Sequence, residues 1–225
     1  MSLFVIKPGI ASQMKEKYNS IRRKQALRIV FILTAIGIVV SLLLSSIKVD
    51  KPSDVLEKYR EQKNDHFRKS IKSPIKDKET FTGLSYFDYS EKYKVKAFIT
   101  FTQDTQVVSM LRTDGKSSFY LAFAKATFKV DDKFQTLTLY KYPDDVQNKP
   151  LLFVPFTDAT NGKTTYNGGR YLDVELSNNK TIVLDFNYAY NPFCVYNYQY
   201  TCPIPPKENV LTVEINAGEK LYTKE

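Results

Sequence analysis

The chain has 225 residues, 43% of them apolar and 25% charged, an ordinary balance for a folded protein. Its formal net charge is +9, but seven basic residues against one acid in residues 1–28 account for +6, so residues 29–225 carry only +3. A domain that near neutrality lacks the electrostatic footprint of a DNA or RNA binder, and nucleic acid is excluded as a partner.

The first element explains where the charge sits. Ile29 to Ile47, IVFILTAIGIVVSLLLSSI, contains no charged residue. As a helix its nineteen residues would run about 28 Å, enough to cross a hydrocarbon core. A cleaved signal peptide is the rival reading, but its apolar stretch is typically only ~7–15 residues long, and no small-x-small cleavage site follows here. The sequence therefore predicts a basic tail over 1–28 and a single transmembrane helix over 29–47. The basic residues precede the span, so the positive-inside rule puts the N-terminus in the cytoplasm and the C-terminal domain in the periplasm or outside the cell.

Residues 48–79 read as a stalk, or a helix on the domain's edge, with a short amphipathic helix at about 53–71. Ser53 is a candidate cap, and Asp54 and Glu57 suit the helix dipole. The sole histidine, His66, lies on this helix as a surface residue. From residue 80 the apolar period becomes two. In YKVKAFITFTQ, Tyr93, Val95, Ala97, Ile99 and Phe101 share one face, and only Phe98 breaks the alternation. Similar runs follow: QVVSMLRT, SFYLAFAKATFKV, FQTLTLYKY, LLFVPF, RYLDVEL, TIVLDFNY and VLTVEIN. Turns such as Asp114-Gly115 and Asp131-Asp132 separate them. Eight or nine strands without an intervening helical period predict an antiparallel β-sandwich or barrel over 80–225.

No dinucleotide or phosphate loop is present, and a single histidine leaves no Ser–His–Asp triad or histidine metal centre. No cofactor is expected. The chemistry-bearing stretch is GGRYLDVELSNNKTIVLDFNYAYNPFCVYN. Read as a hairpin around Asn178-Asn179-Lys180, it lays Leu172, Val174 and Leu176 beside Ile182, Leu184 and Phe186 on one buried face. That register puts Asp173 directly opposite Asp185, and Tyr171 opposite Asn187. Like charges in such a pair destabilise unless something relieves them. The candidates are Arg170 or a lysine between them, a calcium ion held by Asp173, Asp185 and Asn187, or a proton retained by one carboxyl. The plainer reading leaves both acids in water.

Pro192 then ends the strand. Cys194 and Cys202, with seven residues between them, are the only cysteines. Outside the cytoplasm the pair reads as a disulfide, stabilising by roughly 2–3 kcal/mol. The loop this would close is rich in tyrosine, which offers apolar area with a polar tip, suited to a pocket wall or a partner surface.

The stretch FVPFTDATNGKTTYNGGRYLDVEL, followed by VLDFNYAYNPFCVYNYQYTCPIPPKENVLTVEINAGEK, resembles the family catalogued as domain of unknown function 1684, found in bacteria and archaea. FTGLSYF belongs to the same likeness, which covers nearly all of 59–220. The chain departs at Phe193, where the family carries tyrosine. The resemblance implies no activity. It does imply that Arg170, Asp173, Asp185 and Asn187 form a family feature.

The expectation that follows is a membrane-anchored, extracytoplasmic module that binds a protein or small molecule. Its ligand-binding residues would be Arg170, Tyr171, Asn187, Tyr190, Asn191, Tyr196 and Asn197. The alternative is a hydrolase, of the glycan-cleaving type, using paired carboxylates ~5 Å apart. Its catalytic candidates are Asp173, Asp185 and, in reserve, Glu208.

Overall fold

The computed structural model describes residues 8–45, 50–143, 151–176 and 180–223, with side chains for 12–42, 50–102, 106–143, 151–176 and 180–223. It separates into two compact units, Met1–Lys51 and Pro52–Glu225. The first is a single helix, α1 (Pro8–Ser45), so the basic segment before Ile29 is helical as well. Pro8 suits a first helical position, because its missing N–H would have no partner there. The apolar window within Ser12–Leu42 has a mean hydropathy of 2.1 and is entirely unburied. By length and composition this helix can serve as a membrane anchor or a signal sequence. The end expected at Ile47 lies outside the described residues.

The second unit opens with α2 (Pro52–Lys69). Proline again occupies the start, and the Ser53 hydroxyl turns to Asp54 Oδ1 at 3.0 Å. One stripe of α2 is buried: Leu56, Arg60 and Phe67. Arg60 donates to the Phe87 carbonyl (2.9 Å), Arg68 donates to the Thr82 carbonyl (3.0 Å), and Asn64 Oδ1 accepts the Leu84 amide (3.0 Å). Of the two readings open for this segment, the helix lies on the domain's edge and is not a free stalk.

Six strands follow among the described residues: β1 (Lys94–Leu111), β2 (Ser117–Val130), β3 (Lys133–Lys141), β4 (Leu151–Phe156), β5 (Arg170–Glu175) and β6 (Thr181–Asp185). Every pairing is antiparallel, and the order across the sheet is β5-β4-β3-β2-β1-β6. The sheet forms a nearly closed barrel. Its seam is held where Tyr171, at the start of β5, and Tyr190, beyond β6, exchange both backbone hydrogen bonds at 2.9 Å. Alternation decides what fills the interior. Ala97, Ala124, Ala126, Leu137, Leu139, Leu152, Val154, Leu172, Ile182 and Leu184 are buried, around the rings of Phe128, Phe156 and Phe186. Phe98, the residue that broke the pattern, is 69% exposed.

Three expectations change. QVVSMLRT is not a separate strand but the continuation of β1 past an irregularity between Phe101 and Gln106. VLTVEIN alternates as a strand should, burying Leu211, Val213 and Ile215, yet among the described residues it pairs only through the isolated parallel bridge Thr157–Val210, with backbone bonds to Thr157 and Ala159. Its backbone is taken up elsewhere: the Ile215 amide goes to Asp158 Oδ1 (3.2 Å), and the Ile215 carbonyl goes to Arg170 (2.8 Å). Finally, the expected β5–β6 hairpin does not form. β5 pairs with β4 and β6 pairs with β1, so Asp173 lies opposite Phe153 and Asp185 opposite Lys94. Both apolar sets do face one interior, but a barrel lets them share it from non-adjacent strands. The loop residues Asn178 and Asn179 lie outside the described residues.

Candidate functional site

The expected carboxylate pair is not assembled, because each acid has its own partners. Asp185 ends β6 by capping the helical turn Phe186–Tyr188. It accepts the Asn187 backbone amide (3.1 Å) and the Asn187 side-chain amide (2.8 Å). That turn shifts the following chain, so Tyr171 meets Tyr190 and not Asn187. Asn187 is itself 1% exposed and clamps Ser90, accepting its amide and donating to its carbonyl, each at 2.9 Å. The calcium set Asp173, Asp185 and Asn187 is therefore not brought together. Among the described residues no group of three His, Cys, Asp or Glu side chains could hold a metal. The paired-carboxylate hydrolase loses its geometry with the same correction. Glu208, its reserve candidate, is exposed and accepts the Tyr140 hydroxyl at 2.9 Å.

Arg170, expected to orient a ligand, is 0% exposed. One terminal nitrogen donates to Asp158 (2.9 Å) and to the Ile215 carbonyl (2.8 Å). The other donates to the Ala217 and Glu219 carbonyls. With both terminal nitrogens engaged and Nε buried without a partner, it is a structural group. Tyr171 is nearly buried, with its hydroxyl on the Pro203 carbonyl (2.5 Å).

Asp173 instead pairs with Tyr190, whose hydroxyl donates to it at 2.8 Å. The carboxylate is exposed at the surface beside Tyr190. Its pKa is raised, chiefly by desolvation, with the Tyr190 hydrogen bond and the Lys63 charge acting against it. A carboxyl harder to ionise when folded destabilises the fold at pH above its folded pKa, and does not below the unfolded value of about 3.9. Asp173→Asn should therefore melt slightly higher at neutral pH. Screening keeps the gain under about 1 kcal/mol. The gain should vanish as the pH falls through 4, as melting curves over pH 3–8 would record.

The functional group that periodicity did not reveal is Glu219, 1% exposed at the far end of the chain. It accepts Lys63 Nζ from α2 (2.5 Å), the Asn191 amide (2.8 Å) and the Tyr196 hydroxyl. Lys63 also stands 5.0 Å from the centre of the Tyr190 ring. Gly218 makes this approach possible: with φ +76, an added Cβ would fall 2.5 Å from the Ala189 carbonyl oxygen. Burial and the Glu219 charge together hold the Tyr196 phenol well above its ordinary pKa, so it stays a donor.

The outer side of the Tyr196 ring faces a cavity of about 130 Å³. Asn197, Tyr198, Phe81 and Tyr222 join it in the wall, with Lys76 and Asp77 adding charge of both signs. Phe67 of α2 braces two of these rings, 6.2 Å from Phe81 and 5.3 Å from Tyr196, and Tyr222 meets Tyr196 edge-on at 5.1 Å. Tyr198 is 85% exposed, with Lys76 Nζ 4.7 Å from its ring centre. Of the ligand residues expected from sequence, Tyr196 and Asn197 line this cavity. Asn191 stands behind it, 1% exposed, with its amides on Glu219 and the Lys220 carbonyl. The Phe81 and Gly83 side was legible only through the family-like FTGLSYF. Tyr198 was marked only as part of the tyrosine-rich loop, and Lys76, Asp77 and Tyr222 carried no signal that distinguished them from surface residues.

The expected disulfide is absent: Cys194 and Cys202 are free thiols, with the Cys194 amide 3.2 Å from Cys202 Sγ.

Comparison with known proteins fits this architecture. A solution NMR structure of an uncharacterized protein from Haloarcula marismortui is 36% identical, with a TM-score of 0.60, over 74% of this chain and 92% of that chain. No curated protein matches. A family model described as protein of unknown function, DUF1684, matches residues 79–220, and the chain belongs to that family.

Proposed function

We propose that the chain is a membrane-anchored, extracytoplasmic binding module whose tyrosine-walled cavity takes a small polar ligand. The anchor is α1, with the basic residues before Ile29 on the cytoplasmic side and residues 52–225 in the periplasm or outside the cell. The observation that carries the binding role is the cavity beside Tyr196, Tyr198 and Tyr222, with Lys76 and Asp77 on its wall. Its volume, about 130 Å³, is below the ~300–1,000 Å³ usual for drug-sized ligands. The ligand is therefore small. The exposed Tyr198 ring offers it a planar face, and Lys76, Asp77 and Asn197 offer it polar partners.

The test is a panel of polar compounds of metabolite size, presented to the full chain in detergent micelles and followed by calorimetric titration. Compounds that bind the native chain should bind Tyr198→Ala and Lys76→Ala at least about tenfold more weakly, a loss of ~1.4 kcal/mol. Both variants should keep the native melting temperature, because both side chains lie at the surface. A panel without binders, or binders indifferent to both substitutions, would refute the reading. The anchor is tested separately: alkaline extraction should leave the native chain in the membrane pellet and release a chain lacking residues 29–47.

A further inference from the structure

A second pocket lies on the other side of the tyrosine-rich loop. It measures about 240 Å³, and it is lined by Cys194, which is half-buried, and Cys202, which is 6% exposed, beside Tyr166, Tyr171 and Thr113. The two cysteines reach it from opposite directions. Cys194 sits in the helical turn Phe193–Val195 that follows Pro192. Cys202 is pinned to the turn between β1 and β2: its amide donates to the Thr113 hydroxyl (3.1 Å), and its carbonyl accepts the Thr113 amide (3.0 Å). A single hydrogen bond, Ile204 amide to Leu111 carbonyl (2.7 Å), extends that attachment. The framework thus holds two free thiols at one pocket wall, with the Cys194 amide on Cys202 Sγ at 3.2 Å.

We propose that Cys194 and Cys202 form a thiol–disulfide exchange site that accepts low-molecular-weight disulfides. Neither the binding cavity nor the anchor is needed for it.

The chemistry favours a shared proton. The Cys202 thiol is drawn down to about 7, first by its hydrogen bond with the Cys194 thiol, then by the amides of Cys194 and Phe193 and the charge of Arg112. The Cys194 thiol moves up correspondingly. The other titratable groups facing the pair are the phenols of Tyr166, Tyr171 and Tyr120, all raised by burial and so neutral near pH 7. A thiolate held near neutrality is the reactive form of cysteine. Cys202 thiolate attacks one sulfur of the small disulfide, forming a mixed disulfide and expelling one small thiolate. Cys194, giving up its proton, then attacks Cys202 Sγ and expels the second thiolate. The protein loses two electrons and two hydrogens, and the small disulfide becomes two thiols.

Intact-mass measurement on the full chain in detergent tests this with oxidised glutathione as the probe. The native chain should lose the mass of two hydrogens, retain no glutathione adduct, and regain that mass in reduced glutathione. Cys194→Ser should instead keep a glutathione adduct on Cys202. Alkylation of the native chain by iodoacetamide should reach half its maximal rate at a pH below the ~8.5 of an ordinary cysteine, and this readout does not depend on any variant folding. Three outcomes would overturn the proposal: no mass loss, an alkylation midpoint at or above about 8.5, or a bond that reduced glutathione cannot reopen. The last would mark a permanent cross-link.

Discussion

Replacing Arg170 by alanine should destabilise the β domain by about 3–5 kcal/mol, the usual cost of removing one partner from a buried ion pair. For a domain of this size that lowers the melting temperature by roughly 6–20 °C. Native domains have only ~5–15 kcal/mol of stability, so the variant sits near unfolding. The cost has identifiable parts. Asp158 keeps the Thr160 amide, the Thr160 hydroxyl and the Ile215 amide, all on Oδ1, but Oδ2 loses the Arg170 guanidinium. The carbonyls of Ile215, Ala217 and Glu219 lose the same donor at once. Those carbonyls belong to the segment that replaces a seventh strand, so the damage should concentrate there. Hydrogen exchange would report faster exchange over residues 211–219, which pack Leu211, Val213 and Ile215 into the core. Arg170→Lys should recover only part of the loss, because one ammonium cannot reproduce the fork that reaches four acceptors. Asp158→Asn should cost less than Arg170→Ala, since an amide oxygen at the Oδ1 position keeps three donors. A loss below about 1 kcal/mol for Arg170→Ala, measured by denaturant unfolding of the full chain, would show that the guanidinium is not what holds this segment.

That arginine also explains why some of the fold was legible in the sequence and some was not. Period-two patterning reports which face a residue presents. It placed Ala97 inside and flagged Phe98, correctly, as the exception. It does not report which strand lies alongside. Leu172 and Ile182 obey the same pattern whether they share a hairpin or line one barrel from β5 and β6, and the structure takes the second course. VLTVEIN carries the alternation of a strand, but its backbone is divided among Thr157, Ala159, Asp158 and Arg170, the last taking the Ile215 carbonyl. The turn at Asp131-Asp132 was readable because its chemistry is local: both residues adopt positive φ, 50 and 60, as a two-residue hairpin turn requires. The Cys194–Cys202 spacing suggested a disulfide, but spacing does not decide whether two cysteines are bonded, and these are free thiols. For the binding cavity, tyrosine crowding marked one wall, Tyr196 and Asn197. The opposite wall comes from residues 75–85, and nothing in the sequence pairs those two stretches.

Glu219→Ala should be the second severe substitution, costing about 3–5 kcal/mol, and its effect should appear on α2. Glu219 and Lys63 are 156 residues apart in sequence and 2.5 Å apart in space, with side chains 1% and 14% exposed. Without the carboxylate, Lys63 keeps only its places over the Tyr190 and Phe67 rings, and the Asn191 amide and Tyr196 hydroxyl lose their acceptor. Glu219→Gln is the sharper probe, because it preserves volume but turns an –NH₂ either toward Lys63 or toward the Asn191 amide and Tyr196 hydroxyl, which share the other oxygen. It should cost about 2–4 kcal/mol, since a buried donor left unpaired loses ~1–3 kcal/mol by itself. In both variants the amides of residues 52–69 should lose hydrogen-exchange protection before those of β2 and β3. Lys63 is the ionic tie between α2 and the C-terminal segment, whereas the barrel core makes no use of it. A double-mutant cycle with Lys63→Met separates this coupling from general damage: the double variant should be less destabilised than the two single losses added together. Strict additivity, with α2 as well protected as in the native chain, would mean that the helix is held by Leu56, Phe67 and the hydrogen bonds of Arg60, Asn64 and Arg68 without the ion pair. Since Phe67 also braces Phe81 and Tyr196, loosening α2 should open the binding cavity as well, so Glu219→Gln should weaken any ligand found there, both through α2 and through the Tyr196 hydroxyl.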